Sequence, residues 1–302
     1  MNKVIVITGP TAVGKTKMSI EIAKKYNGEI INCDAVQVYK GLNIGSAKVL
    51  DEEKEGITHH LLDIKEVDEE YTIYHYQKDA RKIIEDIKER GKTPILVGGT
   101  GLYIKAALYD YKLSEEKENN NYNNLSDEEL YDELIKLDKD IIIDKNNRRR
   151  LIRALNYYKE NNESINKNKT DKLLYDTLFI GLTTDRNILY EKINKRVDVM
   201  IKDGLLEEVR TFYDKNIRTK PLLNAIGYRE IYKYFDGEYT LEEATEKIKQ
   251  NSRHYAKRQY TFFNHQIPIV WFETDYDNFN NTIKKVSDYI DSNDMNPVSW
   301  TK

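Results

Sequence analysis

The sequence has 302 residues, of which 39% are hydrophobic and 33% are charged, and its formal net charge is −3. These proportions are typical of a soluble globular protein with one large domain, or a core domain that carries an insertion. No apolar run is long enough to cross a membrane, and the single cysteine, Cys33, excludes a disulfide framework and a cysteine-based metal site. The first apolar run is too short and wrongly flanked for a signal peptide, so we expect a cytoplasmic protein without membrane association.

The first predicted elements form a strand–helix alternation. Val4 to Thr8 is a buried strand, and a glycine-rich turn joins it to an amphipathic helix that ends near Tyr26. Four further elements follow: a strand from Glu29 to Asn32, a helix from Ile73 to Arg90, a strand from Pro94 to Val97, and a helix through Leu108. This alternation predicts a parallel sheet of the P-loop type with helices on both faces.

The segment from Lys112 to Asp171 differs from the rest of the chain in composition and charge. The stretch 114–144 carries a net charge of −8 and includes a low-complexity polar run, Asn119 to Asn124, that we interpret as a solvated loop. The stretch 145–160 that follows carries +5. Helices are expected at 127–137 and 147–160. We therefore predict a helical insertion domain at 112–171, within a catalytic core formed by 1–111 and 172–302.

In the last third of the chain, strand and helix patterns like those of the predicted catalytic core appear again. Leu178 to Leu182 is predicted as a strand that joins the sheet. The elements expected after it are helices at 186–202, 205–214 and 241–263, a strand at 268–272, and a C-terminal helix.

The turn after the first strand carries a phosphate-binding motif. Its residues fit G-x-x-x-x-G-K-[ST] between a predicted strand and a predicted helix: Gly9, Pro10, Thr11, Ala12, Val13, Gly14, Lys15 and Thr16. The glycines allow backbone N–H groups to converge on phosphate oxygens, Lys15 adds positive charge, and the Thr16 hydroxyl can ligate Mg²⁺. Most such loops hold a nucleoside triphosphate, so at this point an ATP-binding small-molecule or nucleoside kinase remains an alternative.

Two polar residues follow predicted parallel strands and are expected at the ligand-binding edge of the sheet. They are Asp34 and Thr100. The competing interpretations are an aspartate that caps a turn and a glycine-rich turn that only closes a strand. Arg196 belongs to a helix whose apolar side faces the core, and it is either a solvated residue or a clamp on a departing anion.

Several segments resemble the tRNA dimethylallyltransferase family, and they occur in that family's order. They are 9–16 and 31–48, His59–Asp63, Val97–Tyr103, Arg149–Leu155, Arg196–Met200 with Gly204–Leu205, Ala225–Glu230 and Tyr255–Gln259. The resemblance spans nearly the whole chain, from residue 3 to about residue 272. An ordered set of this length is far more specific than a P-loop alone.

The resemblance implies a reaction and its residues. The P-loop would hold the diphosphate of dimethylallyl diphosphate, with Mg²⁺, and the acceptor would be N6 of the adenine on the 3′ side of the anticodon, tRNA position 37. The catalytic residues would be Asp34 (proton acceptor), Lys15, Thr100 (channel wall) and Arg196 (diphosphate clamp). The residues that would contact the tRNA anticodon stem-loop are Asp34, Ala35, Val36, Gln37, Thr100, Arg149, Arg150, Arg153, Gly227, Tyr228 and Arg229. A monomer is expected.

The sequence departs from the family pattern at two places. Ala35 stands where the family usually has serine, and the segment from Tyr122 to Leu125 lacks the arginine that the family tends to carry there. A second alternative function is an RNA-binding P-loop module that has lost catalysis. The intact Lys15, Thr16 and Asp34 argue against it.

Overall fold

The computed structural model describes residues 3–111, 113, 122 and 124–294. The chain divides into two compact units, one formed by Met1–Ala107 with Tyr175–Lys302 and the other by Leu108–Leu174. The sequence analysis had set these boundaries at 112 and 171. Lys112 and most of the polar asparagine run (119–121 and 123) lie outside the described residues.

The larger unit is built on six parallel strands. The described residues of the two units together contain eight strands: β1 Val4–Thr8, β2 Gly28–Asn32, β3 His59–His60, β4 Thr93–Val97, β5 Tyr109–Tyr111, β6 Lys169–Leu173, β7 Thr177–Thr183 and β8 Val270–Glu273. The sheet order is β3-β2-β4-β1-β7-β8, and every pairing in it is parallel. The predicted α/β class with a parallel sheet is therefore confirmed.

Eleven helices are present in the described residues. They are α1 Lys15–Lys25, α2 Ile73–Glu89, α3 Gly101–Leu108, α4 Asp127–Leu137, α5 Arg148–Asn161, α6 Arg186–Lys202, α7 Leu205–Tyr213, α8 Lys220–Asn224, α9 Tyr228–Phe235, α10 Leu241–Gln266 and α11 Phe279–Asp294. None of these helices of the described residues is long and apolar enough to span a bilayer.

The sheet is covered on both faces, which explains why its central strands have no alternation of polar and apolar residues. All five residues of β1 are buried, and so are all five of β2. On one face Ile5 and Ile180 belong to a core with Met18 of α1 and Ile193 of α6. Helix α2 packs on β2 and β4 and buries its own apolar stripe, which consists of Tyr76, Ala80, Ile84 and Ile87.

The smaller unit has its own core. Helices α4 and α5 pack against each other through apolar residues, among them Leu130, Leu134, Leu151 and Leu155. The guanidinium of Arg148 donates to the carbonyl oxygens of Tyr122 and Leu125 and to Asp127. Strands β5 and β6 pair antiparallel in this unit, an element that the sequence analysis did not predict.

Some elements were predicted with accurate bounds and others were missed. Helices α4 and α6 begin and end at the predicted residues. The sequence pattern did not predict β3, which has only two residues, and it did not predict α8 or α9. Helix α8 is a five-residue helix with a proline in its first turn, too short to produce a helical period. Short elements depend on tertiary contacts more than on local pattern.

Candidate active site

A cavity of about 740 Å³ opens at the carboxyl ends of the central strands. The loops after β1, β2 and β4 contribute to its walls, together with α6, α10 and the connection between α8 and α9. All of these belong to the larger unit. Ligands bind at this edge in open α/β sheets because the loops of adjacent parallel strands diverge there.

The P-loop lies between β1 and α1 in the expected position. Gly9 has φ 134° and Gly14 has φ 91°, backbone conformations that favour glycine. A Cβ atom on Gly9 would lie 2.3 Å from the carbonyl oxygen of Leu182, so close packing on β7 also requires glycine. Pro10 and Val13 are buried, and the cavity is lined by Thr11, Ala12, Gly14, Lys15 and Thr16.

Residues from the C-terminal part of the chain hold this loop from outside. The hydroxyl of Thr274 donates to the carbonyl oxygen of Val13 at 3.1 Å, and that of Tyr276 donates to Ala12 at 3.1 Å. Two loop carbonyls are thereby paired with protein donors. The loop is held in a conformation that suits an anion-binding nest of N–H groups.

Lys15 projects back over the loop. Its Nζ donates to the carbonyl oxygens of Gly9 at 3.1 Å and Pro10 at 2.6 Å. Burial, and secondarily the nearby guanidinium of Arg196, lower the pKa of Lys15 to about 7, while Asp34 acts in the opposite direction. A bound anion would stabilise the charged ammonium, which burial disfavours.

Arg196 contributes a second cation from α6. The residue is half-buried and lines the cavity. Burial lowers the pKa of its guanidinium, and the carboxylates of Asp34 and Glu53 oppose that effect. Across the described residues it makes no hydrogen bond or ion pair. A half-buried arginine without such a partner is suited to pair with an anionic ligand.

Asp34 lies two residues after the end of β2, and neighbouring groups fix its position. Its backbone N–H donates to Asn32 Oδ1 at 3.0 Å, and its Oδ1 accepts from the backbone N–H of Val36 at 2.9 Å. Its other carboxylate oxygen has no hydrogen-bond partner among the described residues. That oxygen is available to accept a proton or a hydrogen bond from a ligand in the cavity.

Thr100 lies across from Asp34 in the loop after β4. Its backbone N–H donates to the carbonyl oxygen of Cys33 at 3.1 Å. Gly98 allows this approach, because a Cβ atom there would lie 2.4 Å from the Cys33 carbonyl. Behind the loop, Gln259 Nε2 donates to the Gly99 carbonyl oxygen at 3.0 Å. Thr100 is therefore held between the β2 loop and α10.

Ala35, Val36 and Gln37 also line the cavity. The side-chain amide nitrogen of Gln37 donates to the carbonyl oxygens of Ser46 at 3.0 Å and Ala47 at 3.3 Å. The amide is therefore held by backbone, and its oxygen is the group that can still face a ligand.

The connection between α8 and α9 supplies Gly227 to the cavity wall, and the first turn of α9 supplies Arg229. Arg229 Nε donates to Glu230 at 2.5 Å. Tyr228 lies between them and was expected to contact tRNA. Its side chain is instead fully buried, and its hydroxyl donates a hydrogen bond to Glu208 at 2.5 Å. Tyr228 therefore fixes this connection from inside.

Arg149, Arg150 and Arg153 are exposed residues of α5 in the smaller unit. The apolar side of the same helix is buried, as at Leu151 and Leu155. Their exposure is compatible both with phosphate contacts and with an ordinary solvated helix face.

The sequence pattern did not predict that α10 forms part of the cavity wall, although five of its residues line the cavity: Ile248, Ser252, Tyr255, Arg258 and Gln259. Burial and the nearby carboxylate of Asp34 raise the pKa of Tyr255 to about 12. The hydroxyl of Tyr255 interacts with Thr100. The available signal was the family-like segment Tyr255–Gln259, but helical spacing alone could not tell which of its residues face the site.

The residues that the structure describes contain no group of three or more His, Cys, Asp or Glu side chains that could hold a metal ion. Thr16 is exposed at the cavity and Asp34 shares that cavity. One hydroxyl and one carboxylate fit Mg²⁺ only if it is held jointly with ligand phosphates and water, which is the usual arrangement for this ion.

Comparisons with known proteins match the chain over most of its length. Residues 37–266 match the model of the family described as IPP transferase. The chain is 50% identical to the tRNA dimethylallyltransferase of Anoxybacillus flavithermus, over 96% of both chains. It resembles the crystal structure of a tRNA delta(2)-isopentenylpyrophosphate transferase from Staphylococcus epidermidis with 40% identity and a TM-score of 0.74, covering 96% of this chain and 98% of that one.

A third similarity is to a eukaryotic dimethylallyltransferase whose structure is described as acting on tRNA. The TM-score is 0.88 at 31% identity, and the match covers 98% of this chain and 80% of the eukaryotic one. The chain belongs to the IPP transferase family.

Proposed function

We propose that this protein is a tRNA dimethylallyltransferase, which transfers the dimethylallyl group of dimethylallyl diphosphate to N6 of the adenine on the 3′ side of the anticodon, position 37. The relatives that match along nearly the whole chain carry the same enzyme name. The observation that carries the proposal is that a P-loop with two cations, Lys15 and Arg196, shares one cavity with the carboxylate of Asp34.

The donor's diphosphate binds at the P-loop. The backbone N–H groups of residues 9–16 and the N-terminus of α1 favour negative charge, and Lys15 and Arg196 pair with it. Arg196, which lacks a protein partner among the described residues, becomes paired when the diphosphate enters. Both cations stabilise the charge that grows on the leaving group.

Mg²⁺ is the cofactor in this proposal. Thr16 would hold it, together with phosphate oxygens of the donor and water. Its contribution when bound is to neutralise charge on the diphosphate.

The acceptor adenine leaves its stack to enter the cavity, as bases must when enzymes modify them. Residues 34–37, Thr100, Gly227 and Arg229 contact the anticodon loop around the cavity. Arg149, Arg150 and Arg153 contact its phosphates, which positions the RNA without reading its sequence. The protein acts as a monomer on the anticodon stem-loop.

The transfer forms one bond and breaks another. The N6 lone pair forms a bond with the allylic carbon, and the electron pair of the carbon–oxygen bond leaves with diphosphate. N6 then carries a positive charge and loses a proton to the free oxygen of Asp34. A carboxylate near N6 therefore acts late in the reaction, as a general base.

Incubation of the purified protein with unmodified tRNA, Mg²⁺ and dimethylallyl diphosphate, followed by mass spectrometry of the nucleosides, tests the proposal. We expect N6-(dimethylallyl)adenosine and no product when the donor is omitted. A parallel incubation with ATP and hydroxyl acceptors tests the kinase alternative. Phosphorylated acceptor without any prenylated adenosine would overturn the proposal.

A further inference from the structure

A single carboxylate on α7 binds two walls of the cavity without lining it. Glu208 Oε2 accepts hydrogen bonds from the backbone N–H groups of Asn43 at 3.1 Å and Ile44 at 2.8 Å. Its Oε1 accepts from the N–H of Gly45 at 3.2 Å and from the hydroxyl of Tyr228 at 2.5 Å. Four donors occupy the acceptor positions of an ionised carboxylate.

The three backbone donors belong to a tight turn at residues 42–48. Within it the N–H of Ala47 donates to the carbonyl oxygen of Ile44, and that of Lys48 donates to Asn43. Early N–H groups of such a helical turn have no acceptor inside the turn, as at any helix N-terminus. Glu208 supplies that acceptor from another element.

The 42–48 turn also fixes the side chain of Gln37. The backbone carbonyl oxygens of Ser46 and Ala47, both in this turn, accept hydrogen bonds from the side-chain amide of Gln37. Gln37 belongs to the 34–37 segment, which forms one wall of the cavity. Glu208 is therefore two hydrogen-bonded steps from the residues proposed to contact the base.

Tyr228 carries the second connection. It stands between Gly227 and Arg229, which form another part of the cavity wall. Its ring packs directly on the turn, because a Cβ atom on Gly45 would lie 2.5 Å from that ring. The same carboxylate thus fixes the 34–37 wall and the 227–229 wall relative to each other.

We infer that Glu208 is a positioning residue for the tRNA side of the reaction, an inference that rests on the proposed function. It holds the two walls at the separation that the acceptor base requires. In the described part of the chain, no hydrogen bond or ion pair joins Glu208 to the P-loop, Lys15 or Arg196, so we expect donor binding to be independent of it.

The test is Glu208→Gln in the full chain. An amide has one acceptor oxygen where the carboxylate has two, and its NH₂ group would face a backbone N–H. We expect kcat/KM for tRNA to fall about 10- to 100-fold, with a higher KM for tRNA and an unchanged affinity for dimethylallyl diphosphate. Glu207→Gln, one residue earlier and exposed, is the matched control and should behave like the wild type.

Tyr228→Phe removes only the hydroxyl and is the second variant, which keeps the test decisive if Glu208→Gln does not fold. It should also raise KM for tRNA, and the double variant should be no worse than Glu208→Gln alone, because the Tyr228 hydroxyl acts through its hydrogen bond to Glu208. Folded variants with wild-type kinetics on tRNA would overturn the inference. Equal losses of donor affinity and tRNA kinetics would also overturn it, since they indicate a general structural role. A wild-type protein that does not prenylate tRNA would instead refute the proposed function.

Discussion

The hydroxyl oxygen of Thr100 accepts a hydrogen bond from the backbone N–H of Ala35 at 3.2 Å. This contact joins the loop after β4 to the loop after β2, one residue from Asp34. The loop that carries the Asp34 carboxylate is thus hydrogen-bonded to the loop that carries the Thr100 hydroxyl, and both groups face the same cavity. Their relative position is set before any substrate binds, which is the condition for efficient orientation of reacting groups.

Thr100→Val keeps the shape of the side chain and removes the acceptor. The N–H of Ala35 then lacks its partner, and we expect the single-turnover rate to fall about tenfold. Thr100→Ser retains the hydroxyl and should keep most of the rate. Equal rates for valine and serine would show that the hydroxyl does not contribute.

Asp34→Asn keeps the shape and the acceptor for Val36 but removes the basicity of the carboxylate. General acid–base groups contribute ~10²–10⁴-fold, so the rate of prenyl transfer should fall within that range. Affinity for dimethylallyl diphosphate should be unchanged or slightly higher, because a negative charge near the diphosphate is lost. Single-turnover rates and donor affinities would be measured together. Near-normal turnover would remove Asp34 from the mechanism, and loss of donor and Mg²⁺ binding would make it a metal-site residue.

Lys15→Ala should abolish most donor binding while tRNA affinity stays close to that of the wild type. The lysine lies on the P-loop and would contact only the diphosphate. Titration with dimethylallyl diphosphate and with unmodified tRNA would measure the two affinities separately. Lys25→Ala, an exposed residue at the end of the same helix, is the control. A loss of tRNA affinity as severe as the loss of activity would contradict the separation of the two sites.

Neutralising Arg149, Arg150 and Arg153 together should weaken tRNA binding and reduce its dependence on salt. Each lost phosphate contact lowers the slope of log K against log salt by about 0.9 for a duplex or about 0.7 for a single strand. The control removes three exposed lysines from α2 and α11, namely Lys82, Lys284 and Lys285. If both triple variants keep the wild-type slope, the arginines form only a solvated helix face.

Glu29→Gln should destabilise the fold in a pH-dependent way. The buried carboxylate accepts from Arg90, Lys92 and His60, and chiefly the Arg90 guanidinium holds its pKa well below the ordinary 4.5. Because the folded-state pKa is lower than the unfolded one, the stabilisation is complete above about pH 4.5 and is lost as the pH falls further. Loss of one partner of a buried pair costs about 3 kcal/mol, so urea unfolding at pH 7 should show a large difference that narrows in acid.

Asp86→Asn is the control for that variant. Asp86 also pairs with Arg90, at 2.8 Å, but its side chain is 60% exposed. Exposed pairs contribute little, so this change should leave the unfolding free energy nearly unaltered. If the Glu29→Gln protein is as stable as Asp86→Asn at pH 7, the buried Glu29 carboxylate does not stabilise the fold as predicted.

Local pattern was sufficient wherever an element buries a long, regular face. The apolar spacing of Ile193 and Val197 gave the bounds of α6 correctly, and continuous apolar runs gave the central parallel strands. Strand β3 and the β5–β6 pair could not be found this way, because they are short and form only when a partner strand is already present.

The family, the sheet class and the phosphate-binding loop could be predicted from the sequence, because each depends on residues that are close along the chain. The sequence also named Lys15, Asp34, Thr100 and Arg196, and the tertiary structure decided that all four open into one cavity. Only the structure decided that Tyr228 is buried on Glu208, that Tyr255 stands beside Thr100, and that Arg196 lacks a protein partner among the described residues. Those facts depend on contacts between residues tens to more than a hundred positions apart, and no local spacing encodes which side of a helix such a contact will use.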